Sequence, residues 1–225
     1  MYALAASAAG VGMLALAPPA EAKIVYTPTH HVVGRKGRYT LDLNNDKIGD
    51  VALVNTRSCN TDFCVDILSA IPSGGNGVEG KRGFLSIPYA YALKRGARIG
   101  PKAPFSGRLM VSSESSVGGI IGQWQNIRNG YLGVKFQIKG KTHYGWARLT
   151  VLVLGQAFVK TTLTGYAYET VPNKPITAGR TKSDVDKTSS VEPSAAPMLP
   201  SSQPATLGQL AAGARAMSVW RKEPR

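Results

Sequence analysis

Apolar and polar residues alternate most regularly over residues 131–169. In the first part of this segment every second residue is apolar, which is the period of a β-strand with one buried face. The apolar positions are Leu132, Val134, Phe136 and Ile138. A turn at Lys139-Gly140-Lys141 follows, and the alternation resumes over residues 144–153 and again over 157–168. The pattern therefore predicts three consecutive antiparallel strands.

The same period of two occurs nearer the N-terminus. Residues 38–43 alternate between apolar and polar, and the alternation resumes over 51–54 after a polar turn. The chain has 25 glycines and 14 prolines, and it shows no helical period long enough to cross over a parallel sheet. We therefore expect an all-β domain over residues 23–178, with an antiparallel β-sandwich or jelly-roll-like fold.

Two segments interrupt the strand pattern. Residues 71–82 are rich in glycine and predict a surface loop. Residues 86–129 are less regular and predict a long excursion between strand groups, with a short helical turn at 89–95. Long loops of this kind are often functional, although a solvated loop is the alternative. The excursion carries the densest basic run of the domain: Lys94, Arg95, Arg98, Lys102 and Arg108.

The first 22 residues have the pattern of a targeting segment. Residues 3–17 are small or apolar and uncharged, and Ala20-Glu21-Ala22 provides the small-x-small sequence that signal peptidase accepts. We expect a cleaved signal peptide over 1–22 and a mature chain that begins at Lys23. Such a chain is secreted to the extracellular space or the cell surface, or alternatively to the periplasm. A buried N-terminal helix is the other interpretation.

The composition changes again after the predicted domain. Residues 179–206 consist largely of Ser, Pro, Ala, Lys and Thr and predict a disordered linker, because they offer little apolar surface to offset the entropy of ordering. Residues 207–225 form a short apolar and basic tail. Its apolar part contains Arg215 and is shorter than the ~20 residues that a bilayer span requires. We expect no transmembrane span in the mature chain, and a segment lying on a membrane surface is the alternative.

Charge and cysteine content indicate the compartment and the kind of partner of the protein. The formal charge is +14, and loss of the leader, whose one side chain charged at pH 7 is Glu21, raises it to +15. This balance favours an anionic polysaccharide or the cell-envelope surface as partner, and no nucleic acid is expected for an exported chain. Charge that serves solubility alone is the alternative. The two cysteines, Cys59 and Cys64, predict a disulfide that closes a hairpin end in an oxidising compartment.

The segment 42–50 has the oxygen spacing of a calcium loop. Its predicted ligands are Asp42, Asn44, Asp46, the Ile48 carbonyl and Asp50, at loop positions one, three, five, seven and nine. Two positions depart from that pattern, because Lys47 replaces the usual glycine and Leu53 replaces the usual bidentate glutamate. A plain hairpin turn rich in Asp and Asn is the alternative. Calcium is the one cofactor that the sequence suggests.

Aromatic and basic residues on two neighbouring predicted strands suggest a ligand platform. Sugars stack on aromatic rings, and arginine donates hydrogen bonds to acidic groups. The alternative places the same residues in a core, because both faces of a sheet can be covered. The predicted platform consists of Tyr144, Trp146, Arg148, Tyr166 and Tyr168.

The sequence contains no motif that indicates catalysis. It lacks the Gly-x-Ser-x-Gly, phosphate-loop and dinucleotide fingerprints, and Glu79, Glu114 and Glu169 show no local glycosidase signature. We expect a non-enzymatic exported protein that acts at the cell surface or in the extracellular matrix. One alternative is a carbohydrate-binding module for acidic glycans, and another is a glycoside-active enzyme.

Several segments resemble a group of uncharacterised bacterial secreted β-rich proteins, many of them acidobacterial, that are related to proteins carrying PEP-CTERM sorting tails. The resemblance rests on Asp42-Leu43-Asn44-Asn45-Asp46, on Tyr131-Leu132-Gly133-Val134-Lys135-Phe136 with His143-Tyr144-Gly145-Trp146-Ala147-Arg148-Leu149, and on Gly165-Tyr166-Ala167-Tyr168-Glu169-Thr170. The tail resembles the sorting signal in Val191-Glu192-Pro193 and Trp220-Arg221-Lys222. The resemblance implies an exported β-rich domain and no particular activity.

Overall fold

The computed structural model describes residues 22–116, 119–155 and 157–182. Residues 1–21 of the predicted signal peptide (1–22), residues 183–206 of the predicted linker (179–206) and the predicted tail (207–225) lie outside these residues. Within the described part the chain is mostly β-strand with no α-helix, which confirms the all-β prediction. It follows that this part contains no helix long and apolar enough to cross a membrane.

Fourteen strands and one short 3-10 helix, Phe84–Ser86, are found in the described residues. The first seven strands are β1 (Ile24–Val33), β2 (Arg38–Leu41), β3 (Val51–Cys59), β4 (Cys64–Pro72), β5 (Gly77–Val78), β6 (Gly80–Arg82) and β7 (Pro88–Ala90). The others are β8 (Arg98–Ile99), β9 (Leu109–Glu114), β10 (Ile120–Ile121), β11 (Gly130–Ile138), β12 (Lys141–Leu154), β13 (Phe158–Glu169) and β14 (Ile176–Thr177).

The three strands predicted from the alternating pattern are β11, β12 and β13. They are neighbours and antiparallel in a sheet of order β1-β13-β12-β11-β5, here called the first sheet. The turn at Lys139 and Gly140 joins β11 to β12, and Ile138 pairs with Lys141 across it. Both turn residues have positive φ, which suits a tight hairpin connection. The prediction of three consecutive antiparallel strands is therefore confirmed.

The second sheet has the order β2-β3-β4-β9-β7-β6, with β10 paired to β9. It is mixed, because β7 and β9 run parallel. Cys59 pairs with Cys64 at the end of the β3–β4 hairpin, and the two residues form the predicted disulfide. A separate pair, β8 with β14, completes the described strands.

One buried apolar cluster draws on both sheets. Its largest members include Leu53 and Leu68 from the second sheet and Leu132, Leu149 and Leu163 from the first sheet. Burying these side chains is the main favourable term in folding, and each contributes roughly 1.5–3 kcal/mol. We call the face of the first sheet that contacts this cluster the inner face, and the opposite face the outer face.

A β-bulge at Thr164 changes the side-chain alternation of β13. Leu149 of β12 pairs with Leu163, but the preceding Arg148 pairs with Gly165, so Thr164 has no partner on β12. Since side chains alternate between faces, one extra residue transfers every later side chain to the opposite face. Tyr166 therefore lies on the inner face with Leu163.

Both predicted irregular segments contain strands. The proposed surface loop over 71–82 holds β5 and β6, and its Val78 and Glu79 are buried. The excursion over 86–129 contains β7, β8, β9 and β10, and no helical turn forms at 89–95. Apart from β9, which has six residues, the strands of these segments are two or three residues long, which is too short to show an alternating pattern.

Candidate functional site

The predicted aromatic platform is not a single surface. Tyr144 and Trp146 lie on the outer face, whereas Tyr166 and Tyr168 pack on the inner face against the shared core. The bulge at Thr164 is the reason, because it shifts the two tyrosines of β13 by one position. The platform prediction is therefore wrong, and its core alternative describes these aromatic residues better.

A second buried cluster covers the outer face. Trp146 is 0 % exposed and lies between Tyr26, with ring centroids 5.8 Å apart, and Tyr131, with centroids 5.2 Å apart. Ile99 of β8 and Ile176 of β14 belong to the same cluster. The short β8–β14 pair therefore acts as a lid over the aromatic residues, and no ligand can stack on Trp146 in this arrangement.

Arg148, the basic member of the predicted platform, contacts the bulge instead of facing a ligand site. Its Nε donates a hydrogen bond to the Thr164 hydroxyl oxygen at 2.8 Å, and its Nη2 donates to the Thr164 carbonyl at 3.2 Å. The Thr164 hydroxyl in turn donates to the Arg148 carbonyl at 3.3 Å. The guanidinium therefore satisfies the polar groups that the bulge leaves without a strand partner.

The loop between β2 and β3, here called the acidic loop, folds around its own carboxylates. Asp42 accepts hydrogen bonds from the backbone N–H groups of Asp46 at 3.3 Å and Lys47 at 2.8 Å. Asp46 accepts from the backbone N–H of Ile48 at 2.8 Å and from the Asn44 side-chain amide at 2.8 Å. These bonds are those of a tight turn rich in Asp and Asn.

Asp50 closes the acidic loop at its buried end. Its side chain is 4 % exposed and accepts from the Leu43 backbone N–H at 2.8 Å and from the Asn76 amide at 3.2 Å. Burial, with smaller contributions from the charges of Asp42 and Asp46, raises the pKa of Asp50 to about 6. The loop thus places three carboxyl groups near enough to repel one another.

The geometry of the acidic loop explains how Lys47 can replace the usual glycine of the calcium pattern. Lys47 stands where a glycine is usual, yet it adopts a φ of 71°, so the turn forms without glycine. Asn44 Oδ1 is buried and has no hydrogen-bond partner. No three Asp, Glu, His or Cys side chains in the described residues converge as a metal cage. An ion held here would therefore use the Asn44 amide oxygen and the Ile48 carbonyl in addition to carboxylates.

Glu79 is a buried carboxyl within the segment predicted to be a surface loop. It lies between β5 and β6, is 6 % exposed, and its Oε2 has no hydrogen-bond partner. A Cβ at Gly133 would lie 2.5 Å from that oxygen and 3.2 Å from Leu93, so the glutamate fills the space above the glycine. Burial raises the pKa of Glu79 to about 7. Trp146 of β12 lies opposite Gly133 of β11 in the strand register. Its Nε1 is also buried without a hydrogen-bond partner.

The three glutamates considered for glycoside chemistry have different surroundings. Glu114 of β9 accepts a short hydrogen bond from Ser116 and lines a depression of about 220 Å³. Glu169 lies at the end of β13 and pairs with Lys174 at 3.5 Å. Glu79 fills the space above Gly133. The described contacts of these three carboxyl groups have no residue in common.

The basic residues of the 86–129 segment contribute to a surface depression that the sequence did not predict. The depression has a volume of about 640 Å³ and is open to solvent. Arg98 and Lys102 line it from the excursion, and Asn173 and Pro175 line it from the segment after β13. We call it the basic depression. The basic run signalled one half of it, but nothing in the sequence links that run to residues 173–175.

Comparisons of the chain with protein-family models, with curated proteins and with solved structures find no significant match. The resemblance to secreted proteins with PEP-CTERM tails therefore stays a prediction.

Proposed function

We propose that the protein is an exported, non-enzymatic β-sandwich that acts at the cell surface or in the extracellular matrix by binding an anionic polysaccharide of the envelope. One observation carries this proposal. Every described lysine and arginine side chain is at least partly exposed. Four acidic side chains, by contrast, are buried: Asp50, Asp66, Glu79 and Glu169. The surface is therefore more positive than composition alone suggests, and it favours polyanions.

Three other features support the same proposal. The apolar cluster shared by the two sheets is what a sandwich arrangement requires. The disulfide between Cys59 and Cys64 is typical of proteins that fold in an oxidising compartment, which favours export. The buried Asp66 pairs with Arg57 at 3.6 Å. This carboxylate is therefore not at the surface to neutralise the other cations.

The proposed function is tested by retention of the full chain on a carboxylated polysaccharide, polygalacturonate, and on neutral dextran. We expect retention on polygalacturonate alone at about 0.1 M salt and release at about 1 M, because the screening length falls from about 10 Å to about 3 Å. Equal retention on both polymers, or none on either, would contradict the proposal.

We propose in addition that the acidic loop holds a structural calcium ion. The observation that favours it is the buried Asn44 Oδ1 without a partner, in a loop where Asp50 interacts electrostatically with Asp42 and Asp46. Calcium prefers hard oxygen ligands of this type and tolerates irregular geometry. The hydrogen bonds within the loop do not prevent binding, because each carboxylate oxygen has a second lone pair.

Thermal melting of the full chain in calcium and in chelator tests the ion. With calcium at about 100 times its dissociation constant we expect the melting temperature to rise by about 5 to 10 °C, because the ion binds only the folded loop. The variant Asp42→Asn should lose this rise. Asp62→Asn, which removes an equal charge from an exposed position in another turn, should keep it. Identical melting of the unsubstituted chain in calcium and in chelator would refute the calcium site.

A further inference from the structure

The basic depression combines charge with an apolar floor. Arg98, Lys102 and Asn173 contribute polar side chains, and Pro101 and Pro175 contribute ring surfaces. Its volume of about 640 Å³ lies within the range of small-molecule sites. Among the described residues, no acidic residue lines it. The depression thus presents donors without a competing carboxylate.

The polar side chains of the depression are available to a ligand. Arg98, Lys102 and Asn173 are exposed, and within the described residues their side chains make no hydrogen bond or ion pair. Lys174, the next residue along, differs because it pairs with Glu169 at 3.5 Å. The chain therefore satisfies one cation of this region internally and leaves two cations and an amide facing the depression.

The backbone that supports these side chains is held at several points. Ile99 of β8 pairs with Ile176 of β14, which joins the two walls of the depression. The Asn173 backbone N–H donates to the Thr142 carbonyl of β12 at 2.8 Å. At Gly100 an added Cβ would lie 2.6 Å from the Pro175 side chain, so the walls meet closely. A site held in this way loses little entropy when a ligand binds.

We propose that the basic depression binds a carboxylated sugar unit of an acidic polysaccharide. The carboxylate accepts hydrogen bonds from Arg98 and Lys102, a hydroxyl group contacts the Asn173 amide, and the C–H face of the sugar ring lies against the prolines. This inference rests on the proposed function and names the ligand class and the site within it. A simple anion would use the two cations but would leave the amide and the proline surfaces without a role.

The test compares two double variants of the full chain that lower the net charge equally. Arg98→Gln/Lys102→Gln removes both cations of the depression. Lys36→Gln/Lys160→Gln removes two exposed cations near the opposite end of β12. Lys160 pairs with Leu152, and Lys36 follows Val33, which pairs with Thr161, whereas Asn173 contacts Thr142. Ten residues of strand separate the two places, on the order of 30 Å.

Binding to oligogalacturonate at about 0.1 M salt is measured for the unsubstituted chain and both variants, with melting curves as a check of folding. We expect the Arg98 and Lys102 variant to bind about tenfold or more weakly, since it loses charged hydrogen bonds. The Lys36 and Lys160 variant should change affinity by less than about threefold, since its charges act only at long range. Asn173→Ala should weaken binding without changing its salt dependence, because it removes no charge.

Three outcomes would overturn the inference. Equally weakened binding in both double variants would mean that the polysaccharide binds through overall charge and not at the basic depression. The proposed function would then be supported, but the proposed site would be refuted. Inorganic phosphate that competes as well as free galacturonate would show an anion site without sugar recognition. Absence of any binding by the unsubstituted chain would refute the proposed function together with the site.

Discussion

At the scale of single residues, the outer face is shaped by a glycine and a glutamate. Gly133, the strand partner of Trp146, has no side chain, and the Glu79 side chain fills the space above it. The carboxyl group is then buried with no hydrogen-bond partner for Oε2. A carboxyl in such a place keeps its proton to a higher pH than in the unfolded chain.

This burial predicts how stability depends on pH. Glu79 has a pKa of about 7 in the fold against 4.5 for an ordinary glutamate. Between these values the folded state keeps a proton that the unfolded state has lost, so the free energy of unfolding falls as pH rises through this window. The group's contribution is complete below pH 4.5 and is lost above pH 7, and it is on the order of 3 kcal/mol.

Glu79→Gln isolates that contribution. Chemical denaturation between pH 4 and 8 should show a flatter stability profile for this variant than for the unsubstituted chain, because the amide cannot lose a proton. Glu114→Gln, on a partly exposed residue of β9, should leave the profile unchanged. A profile that stays as steep in Glu79→Gln would mean that another group is responsible for the pH dependence.

At the scale of elements, the bulge at Thr164 determines which face each aromatic residue of β13 occupies. Arg148 holds the bulge through the Thr164 hydroxyl and carbonyl groups. Gly165 follows with a φ of 156°, and a Cβ there would lie 2.8 Å from the Tyr26 hydroxyl. The bulge therefore needs a glycine both for its backbone and for the close approach of Tyr26.

Gly165→Ala should destabilise the protein more than Gly140→Ala. Both glycines have positive φ, so both substitutions cost about 1 kcal/mol of backbone strain. Only at Gly165 does the new methyl group also meet a packed ring, which adds roughly 1–3 kcal/mol, whereas Gly140 has nothing within 4 Å. Urea denaturation measures the difference. Equal losses at the two positions would show that the Tyr26 contact is not tight.

The bulge also explains where sequence reasoning succeeded and failed. The alternation over 131–138 and 144–153 predicted β11 and β12, because every second residue there faces the shared core: Leu132, Val134 and Phe136 in β11, and Ala147, Leu149 and Val151 in β12. Beyond Thr164 the same counting placed Tyr166 and Tyr168 on the wrong face. An alternating pattern does not reveal one inserted residue, and the isolated Gly165 was the only local sign of the bulge.

At the scale of the whole molecule, the fold joins segments that are distant in sequence. The basic run of the excursion was visible in the sequence, as were the acidic loop and the disulfide. The basic depression was not, because its second wall comes from residues 173–175 and is brought to Arg98 by the β8–β14 pairing. Pairing between two-residue strands depends on tertiary contacts, and local sequence does not encode it.

The proposed recognition of an acidic polysaccharide by the positive surface is a claim about one place, the basic depression. Backbone hydrogen exchange of the full chain with and without oligogalacturonate locates the bound polymer. We predict slower exchange over 97–103 and 173–178, where the two walls meet, and unchanged exchange at the Lys139–Gly140 turn and the Cys59–Cys64 hairpin end. Slower exchange at these two turns, with none at the depression, would contradict the claim.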